Sequence, residues 1–336
     1  MTQHDQGPAT DWCIESMLAI PCEEISDSAA LCKNPQASVI LMTRNHAAYI
    51  QKAAESVINQ TTLFEYEILI GDDHSTDNTL EICRKLQAKH PEKIRLITAP
   101  CRVGITPNFL RLQSRSRAPF CALLEGDDYW TSPDKLQLQF NLLTAHPEFS
   151  WCGARTHNRI HPLPAQKSYT LSDTCRRFLV HTSTIMYRRS ALDDYPRFPD
   201  MVGWISMVCV VLAQKGLCGF LDTELSYYRR HTGGVYTGAN VSRRIKLAQS
   251  FTDIIRPYLN YTYDRDLFER ELWICGWELK FNPSTFSLGQ WLNQVWILLT
   301  KEVPRTIWVA PAKLLQLMLQ LSTHPAAFVY FKLRTL

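Results

Sequence analysis

Three carboxylates, Glu125, Asp127 and Asp128, interrupted only by Gly126, close the apolar run that begins at Phe120. Packing alone does not end a strand this way, because each like charge raises the free energy of its neighbours. A divalent cation relieves that repulsion, and an all-oxygen ligand set suits Mg2+ or Mn2+. Mg2+ is usually held by one or two carboxylates together with substrate phosphates. The cluster therefore points to a diphosphate-bearing nucleotide more than to a structural metal cage. The plain alternative is a solvated acidic turn after a strand.

The elements that must position this cluster follow from hydrophobic periodicity. Val39-Ile40-Leu41-Met42, Glu67-Ile68-Leu69-Ile70, Ile94-Arg95-Leu96-Ile97 and Phe120 to Leu124 read as four buried strands. Ile50, Ala53, Ala54, Val57 and Ile58 recur at helical spacing after the first strand. Asn78, with Glu81 three residues on, predicts a capped helix to about Leu86; Thr106-Pro107 and Ser132-Pro133 predict two further helix starts. Strands alternating with helices imply right-handed βαβ units and a mostly parallel sheet covered on both faces. In such sheets ligands bind beyond the carboxyl ends of the strands. Arg44 and Asn45, Asp72 and Asp73, Arg102, and the acidic cluster each follow a strand, so four strand ends converge on one edge. After about residue 150 the pattern predicts strands at 150–156, 181–188 and 219–228 around a helix at 204–215, then helices from about 240.

The chain has 336 residues, 46% hydrophobic and 20% charged, enough for a full core and two domains. Its net charge of +4 is too small and too evenly spread to argue for a nucleic-acid partner. Eleven cysteines occur without a CxxC pair or a zinc-like Cys/His cluster, and Cys83, Cys121 and Cys209 lie in apolar runs. The N-terminus is acidic where a secretory signal needs a basic region before an apolar core, and no run of 18 apolar residues occurs. A reduced, cytoplasmic protein is expected.

With these residues in hand, the chain resembles the family-2 glycosyltransferases, enzymes of GT-A fold that transfer sugars from nucleotide-sugars with inversion, and most of all the branch that builds bacterial surface polysaccharides. The resemblance covers roughly residues 37–236 and rests on six segments in order: Ser38 to Asn45, Glu55 to Thr61, Gly71 to Thr79, Arg102-Val103-Gly104, Glu125 to Trp130, and Tyr228 to Val235. It implies a Rossmann-like GT-A domain at 37–236; residues 1–36, which lack sustained periodicity, read as a loosely ordered extension with a short helix at 12–19, and 237–336 reads as a helical region. It implies that Met42 and Arg44 line the nucleobase pocket and that Asp73, supported by Asp72, accepts a hydrogen bond from uracil or thymine. Arg102 joins the nucleotide contacts. Asp127 becomes the chief ligand of a Mg2+ or Mn2+ ion on the diphosphate, with Glu125 and Asp128 beside it, and His231 binds the diphosphate or the metal, with Arg229 adding positive charge. The implied donor is a UDP- or dTDP-sugar and the implied acceptor a saccharide or lipid-linked glycan.

The sequence departs from the family where a catalytic base is expected, before Lys215-Gly216. That position falls on Gly203 or Ile205, neither of which takes a proton; the nearest carboxylate is Asp200. The alternative reading is a degenerate GT-A domain that binds a nucleotide or a partner without catalysis. A dehydrogenase or nucleotidyltransferase is disfavoured, because no GxGxxG or Gly-rich phosphate loop follows the first strand. Trp130 reads as core rather than as a sugar platform. Residues 301–336 carry Lys301, Arg305, Lys313, Lys332 and Arg334 against Glu302. They read either as a helix packed on the catalytic domain or as a peripheral contact with the inner face of an anionic membrane.

Overall fold

A computed structural model of the chain describes residues 14–158, 166–198, 203–231, 233–234 and 241–281. Asp200 and the segment 301–336 lie outside the described residues. The chain divides into two compact units, one of residues up to Leu171 together with Leu179–Arg229, the other of Ser172–Phe178 and the chain from Arg230 onward.

The first unit opens with α1 (Ile14–Ala19) and β1 (Glu23–Ile25). There follow β2 (Ala37–Thr43), α2 (Ile50–Ile58), β3 (Tyr66–Asp72), α3 (Thr79–Lys89), β4 (Ile94–Thr98), α4 (Ile105–Arg115) and β5 (Phe120–Glu125). Every residue of β2, β3 and β4 is buried, which is why these strands read as unbroken apolar runs rather than alternating ones. The remaining elements are β6 (Tyr129–Trp130), α5 (Lys135–Ala145), β7 (Phe149–His157), β8 (Ser168–Tyr169), α6 (Leu171–Arg176), β9 (Met186–Arg188), α7 (Trp204–Lys215) and β10 (Leu217–Tyr227). Of these, α6 lies in the second unit from Ser172 on.

These strands form one sheet in the order β1-β4-β3-β2-β5-β9-β7-β10-β6, with β8 alongside β10. β2 pairs in parallel with β3 and β5, and β3 with β4. β9 runs antiparallel between β5 and β7, so β7, and β10 parallel to it, point the same way as β5. The carboxyl ends of six strands therefore share one edge. The core under them is built from Val39, Leu41, Ile68, Ile70, Leu96, Ala122 and Leu124 with the inner faces of α2, α3 and α5. Each larger aliphatic residue of this set contributes about 1.5–3 kcal/mol on burial.

Several expectations change. Within the N-terminal extension, expected to be loosely ordered, residues 23–25 form an edge strand antiparallel to β4. The cause is electrostatic: Arg95 donates from Nε and Nη2 to Glu24, at 2.8 and 3.1 Å, and from Nη1 to the fully buried Glu67 at 3.2 Å. Glu67 also accepts from Ser38 Oγ (2.7 Å) and from Arg117 Nε (2.6 Å), so the buried charge is fully met. Asn78 sits at the N-cap of α3 but makes no capping bond; Asp77 Oδ1 accepts the Thr79 N–H instead. α4 begins at Ile105, which puts Pro107 inside its first turn, and α5 begins at Lys135 rather than next to Pro133. The strand expected at 181–188 is a 3-10 turn at Thr182–Thr184 followed by β9.

The second unit contains most of α6, then α8 (Val241–Tyr258) and α9 (Asp264–Phe281). Arg176 binds Asp266 at 2.7 Å and Arg256 faces Glu271 at 3.4 Å, so this unit is held by ion pairs as well as by Phe251, Ile255 and Leu267.

Candidate active site

The loops after β2 and β3 are lashed together before either meets the acidic cluster. The Asn45 N–H donates to Ser75 Oγ, the Thr76 N–H to Asn45 Oδ1, and the His46 N–H to Thr79 Oγ1, all within 2.8–2.9 Å. Asp72 spends both oxygens on this turn, accepting Ser75 Oγ at 2.5 Å and the Ser75 N–H at 3.1 Å. Asp73, 5% exposed, accepts the N–H groups of Val103 at 2.7 Å and Gly104 at 3.1 Å. Gly104 has φ 96°, a backbone geometry that favours glycine, and it caps α4. Burial pushes the Asp73 carboxyl above its ordinary range, opposed by those two amides and by the charges of Arg102 and Arg44.

Beyond β5, Gly126 donates its N–H to the Met42 carbonyl at 2.7 Å. A Cβ on Gly126 would lie 2.6 Å from Thr43 Oγ1 and 2.9 Å from His46 Nδ1, so only glycine lets the acidic turn lie this close to the first loop. Asp127 then faces His46, with 3.8 Å between Oδ2 and Nε2. Asp128 is buried, and its Oδ1 accepts the Arg229 N–H at 2.9 Å. Its Oδ2 has no hydrogen-bond partner among the described residues, with His181 Nδ1 3.5 Å away. Arg229 Nε donates to the Asp127 carbonyl at 2.7 Å. Glu125, Asp128 and His181 each offer one ligand atom, and those atoms lie within 4.8 Å of one another.

Burial first, then the Asp127 charge, raises the Glu125 carboxyl well above the usual carboxylate range. Burial, Asp127 and Glu125 do the same to Asp128 despite Arg229. Glu125 and Asp128 thus share a small volume that is unfavourable for their charged forms, with one buried Asp128 oxygen unpartnered. Among the described residues, buried Arg44 Nε and Arg229 Nη2 are also without hydrogen-bond partners. This is a donor set that suits a cation beside an anionic ligand.

The structure brings Arg44, Asp72, Asp73, Glu125, Asp127 and Asp128 to one edge of the sheet, with the Met42 side chain buried at the end of β2. Arg102 is an exposed loop residue immediately before the Val103-Gly104 clamp on Asp73. His231 belongs to the second unit. His181 and His46 carry no sequence signal of their own, since neither stands in a motif with the carboxylate it approaches. Trp130 is core, 4% exposed, its Nε1–H bound to the Ser183 carbonyl. At the expected base position, Gly203 caps α7 with φ 100°, and Trp204 and Ile205 after it are buried.

The family model for glycosyl transferase family 2 matches residues 38–214. An uncharacterized protein of Mycobacterium tuberculosis is 32% identical over 218 residues, and that match spans 62% of each chain. The chondroitin synthase of Pasteurella multocida is 35% identical over 104 residues, which are 31% of this chain and 10% of that protein. Among solved structures, S. aureus TarS in complex with UDP-GlcNAc superposes with a TM-score of 0.57 at 18% identity, over 79% of this chain and 81% of that one. The mannosyltransferase PcManGT from Pyrobaculum calidifontis, in complex with GDP-Man and Mn2+, gives 0.57 at 17% identity over 96% and 90%.

Proposed function

The chain belongs to glycosyl transferase family 2, and on that premise we propose that it moves a sugar, with inversion, from a UDP- or dTDP-sugar to a saccharide or lipid-linked acceptor of a surface polysaccharide, on the cytoplasmic side of the membrane. The observation that carries this reading is the Glu125, Asp128 and His181 group, with its unpartnered buried Asp128 oxygen, at the strand edge that also bears Asp73. Glu125, Asp127, Asp128 and His181 would hold a Mg2+ or Mn2+ ion; the imidazole in this set favours Mn2+. Such an ion, when bound, neutralises charge developing on a departing nucleoside diphosphate. Support for the ligand class comes from neighbours of the same fold, one bound to UDP-GlcNAc and one to GDP-Man with Mn2+. Asp73, which holds the 103–104 loop, would face the nucleobase with Arg44 and Met42 beside it.

The test is donor turnover over a panel of UDP-, dTDP- and GDP-sugars with MnCl2 or with EDTA, for wild type and Asp127→Ala. Loss of about 100- to 1000-fold on either metal removal or substitution is expected. Full turnover in EDTA would sink the metal role.

A second reading is favoured by one observation at the usual base position. Position 203 is a glycine, with no described atom within 4 Å of where a Cβ would stand, and Ile205 is apolar, so neither residue can accept a proton. On that reading the domain binds a nucleotide without transfer. Calorimetric UDP binding with no turnover on any donor would favour it, whereas turnover lost in Asp200→Asn would favour an enzyme with Asp200 as its base.

A further inference from the structure

The last turns of α4 border a cavity of about 450 Å³ that takes no part in the site above. Gly104, at the opposite end of the helix, clamps Asp73, so the cavity stands roughly 10–15 Å along the axis from the nucleotide edge, at about 1.5 Å per residue. Arg111, Arg115, Arg189 and Arg197 line it, and Asp193 is the one acid among the described lining residues. Arg189 is paired with Asp193 at 3.4 Å and Arg115 approaches Glu24 at 3.8 Å, and the four arginines still outnumber these two acids.

Arg111 is the informative member. It is 4% exposed, and its Nη2 donates to the carbonyls of Met17 and Ile20 at 2.6 and 2.5 Å. Its Nε is buried without a hydrogen-bond partner among the described residues. Arg111 is thus fixed in the cavity wall beside three more guanidiniums, a concentration of positive charge that an anion complements. Guanidinium forks match the oxygens of phosphate, and several can bind one phosphate from different sides. Leu110 and Leu192 form an apolar wall beside them, able to accept the carbon chain of an ester.

We propose that this cavity is a second ligand site, binding the phosphate group of a phosphate monoester or diester. Such a site is independent of the donor reading and survives if that reading fails.

The test is a 31P NMR titration of the full chain with methyl phosphate in EDTA, in which a double variant of the cavity separates this site from the acidic edge. Saturable binding is expected, with acetate binding more weakly. Arg189→Gln combined with Arg197→Gln should weaken it by roughly tenfold or more, as each lost charged contact removes a strong hydrogen bond. These side chains carry none of the α1 contacts made by Arg111, and an unchanged melting temperature confirms that the double variant folds. Absence of saturation, equal binding by the double variant, or acetate binding as tightly as phosphate would overturn the proposal. Vesicles of phosphatidate in phosphatidylcholine that displace methyl phosphate assign a lipid headgroup as the source; vesicles that do not displace it assign a soluble phosphate ester. Either result, following saturable binding, supports the site.

Discussion

The Arg229 N–H donates to one oxygen of Asp128 at 2.9 Å, while the other oxygen of the same carboxylate has no hydrogen-bond partner among the described residues. One side chain therefore anchors the end of the first unit and offers a ligand atom at the acidic edge. The two roles separate by substitution. Asp128→Asn keeps an oxygen for the Arg229 amide but loses the anionic oxygen, so its melting temperature should stay close to wild type while Mn2+ binding weakens about 10- to 100-fold. Asp128→Ala should lose both. Calorimetry with MnCl2 and thermal melts check this; an Asp128→Asn protein with wild-type Mn2+ affinity would remove Asp128 from the ligand set.

Gly126 is set by close approach. In Gly126→Ala the new methyl meets Thr43 Oγ1 and His46 Nδ1 below contact distance, so the acidic turn must lift from the first loop. We expect a loss of about 1–3 kcal/mol in stability and a parallel loss of Mn2+ affinity, both measurable by urea unfolding and calorimetry. A variant as stable as wild type would show that the turn yields freely.

Asp73 joins two loops through Val103 and Gly104. Asp73→Asn presents an amide NH2 to one of those backbone N–H groups, leaving a buried donor unmet at about 1–3 kcal/mol. Chemical unfolding should show this destabilisation, and UDP binding should weaken with it. If UDP affinity falls with stability unchanged, the carboxylate acts on the nucleotide alone.

Lys135 supplies a pH dependence. It is fully buried, with Nζ bound to Gln139 Oε1 at 2.6 Å and lying 4.0 Å over the Trp130 ring. Burial lowers its pKa to about 7. The folded pKa lies below the unfolded one, so between about pH 7 and pH 10 the unfolded chain binds more protons and stability rises with pH from this group. Below pH 7 both states are charged and the desolvation penalty is present in full. Lys135→Met should therefore be more stable than wild type at pH 6.5, with the gap closing at up to about 1.4 kcal/mol per pH unit above pH 7. Urea unfolding of both proteins from about pH 6 to pH 9.5 checks it; a pH-independent gap would contradict the lowered pKa.

Glu67 tests the N-terminal strand. Glu67→Ala leaves Arg95 and Arg117 without their buried partner and should remove about 3–5 kcal/mol. Glu24→Ala, at the more exposed end of the same network, should lose less while freeing residues 23–25 to hydrogen exchange. Equal losses would mean that β1 and the core are not separable.

Local chemistry made much of this protein legible in its sequence. Unbroken apolar runs such as Val39 to Met42 and Ile68 to Ile70 announce strands buried on both faces, since short-range periodicity reports burial directly. Glu125 to Asp128 after such a run announces an edge where charge must be neutralised, because no packing argument accounts for it. What only the tertiary structure decided rests on side chains distant in sequence. Glu24 reaching Arg95 turns an apparent tail into an edge strand; His181 reaching Asp128, and His46 reaching Asp127, place imidazoles among the carboxylates. No spacing rule reports such pairs, because their geometry is set by strand order and by where β9 inserts between β5 and β7. Arg111 gave no signal either: its bonds to the Met17 and Ile20 carbonyls exist only once α1 packs on α4.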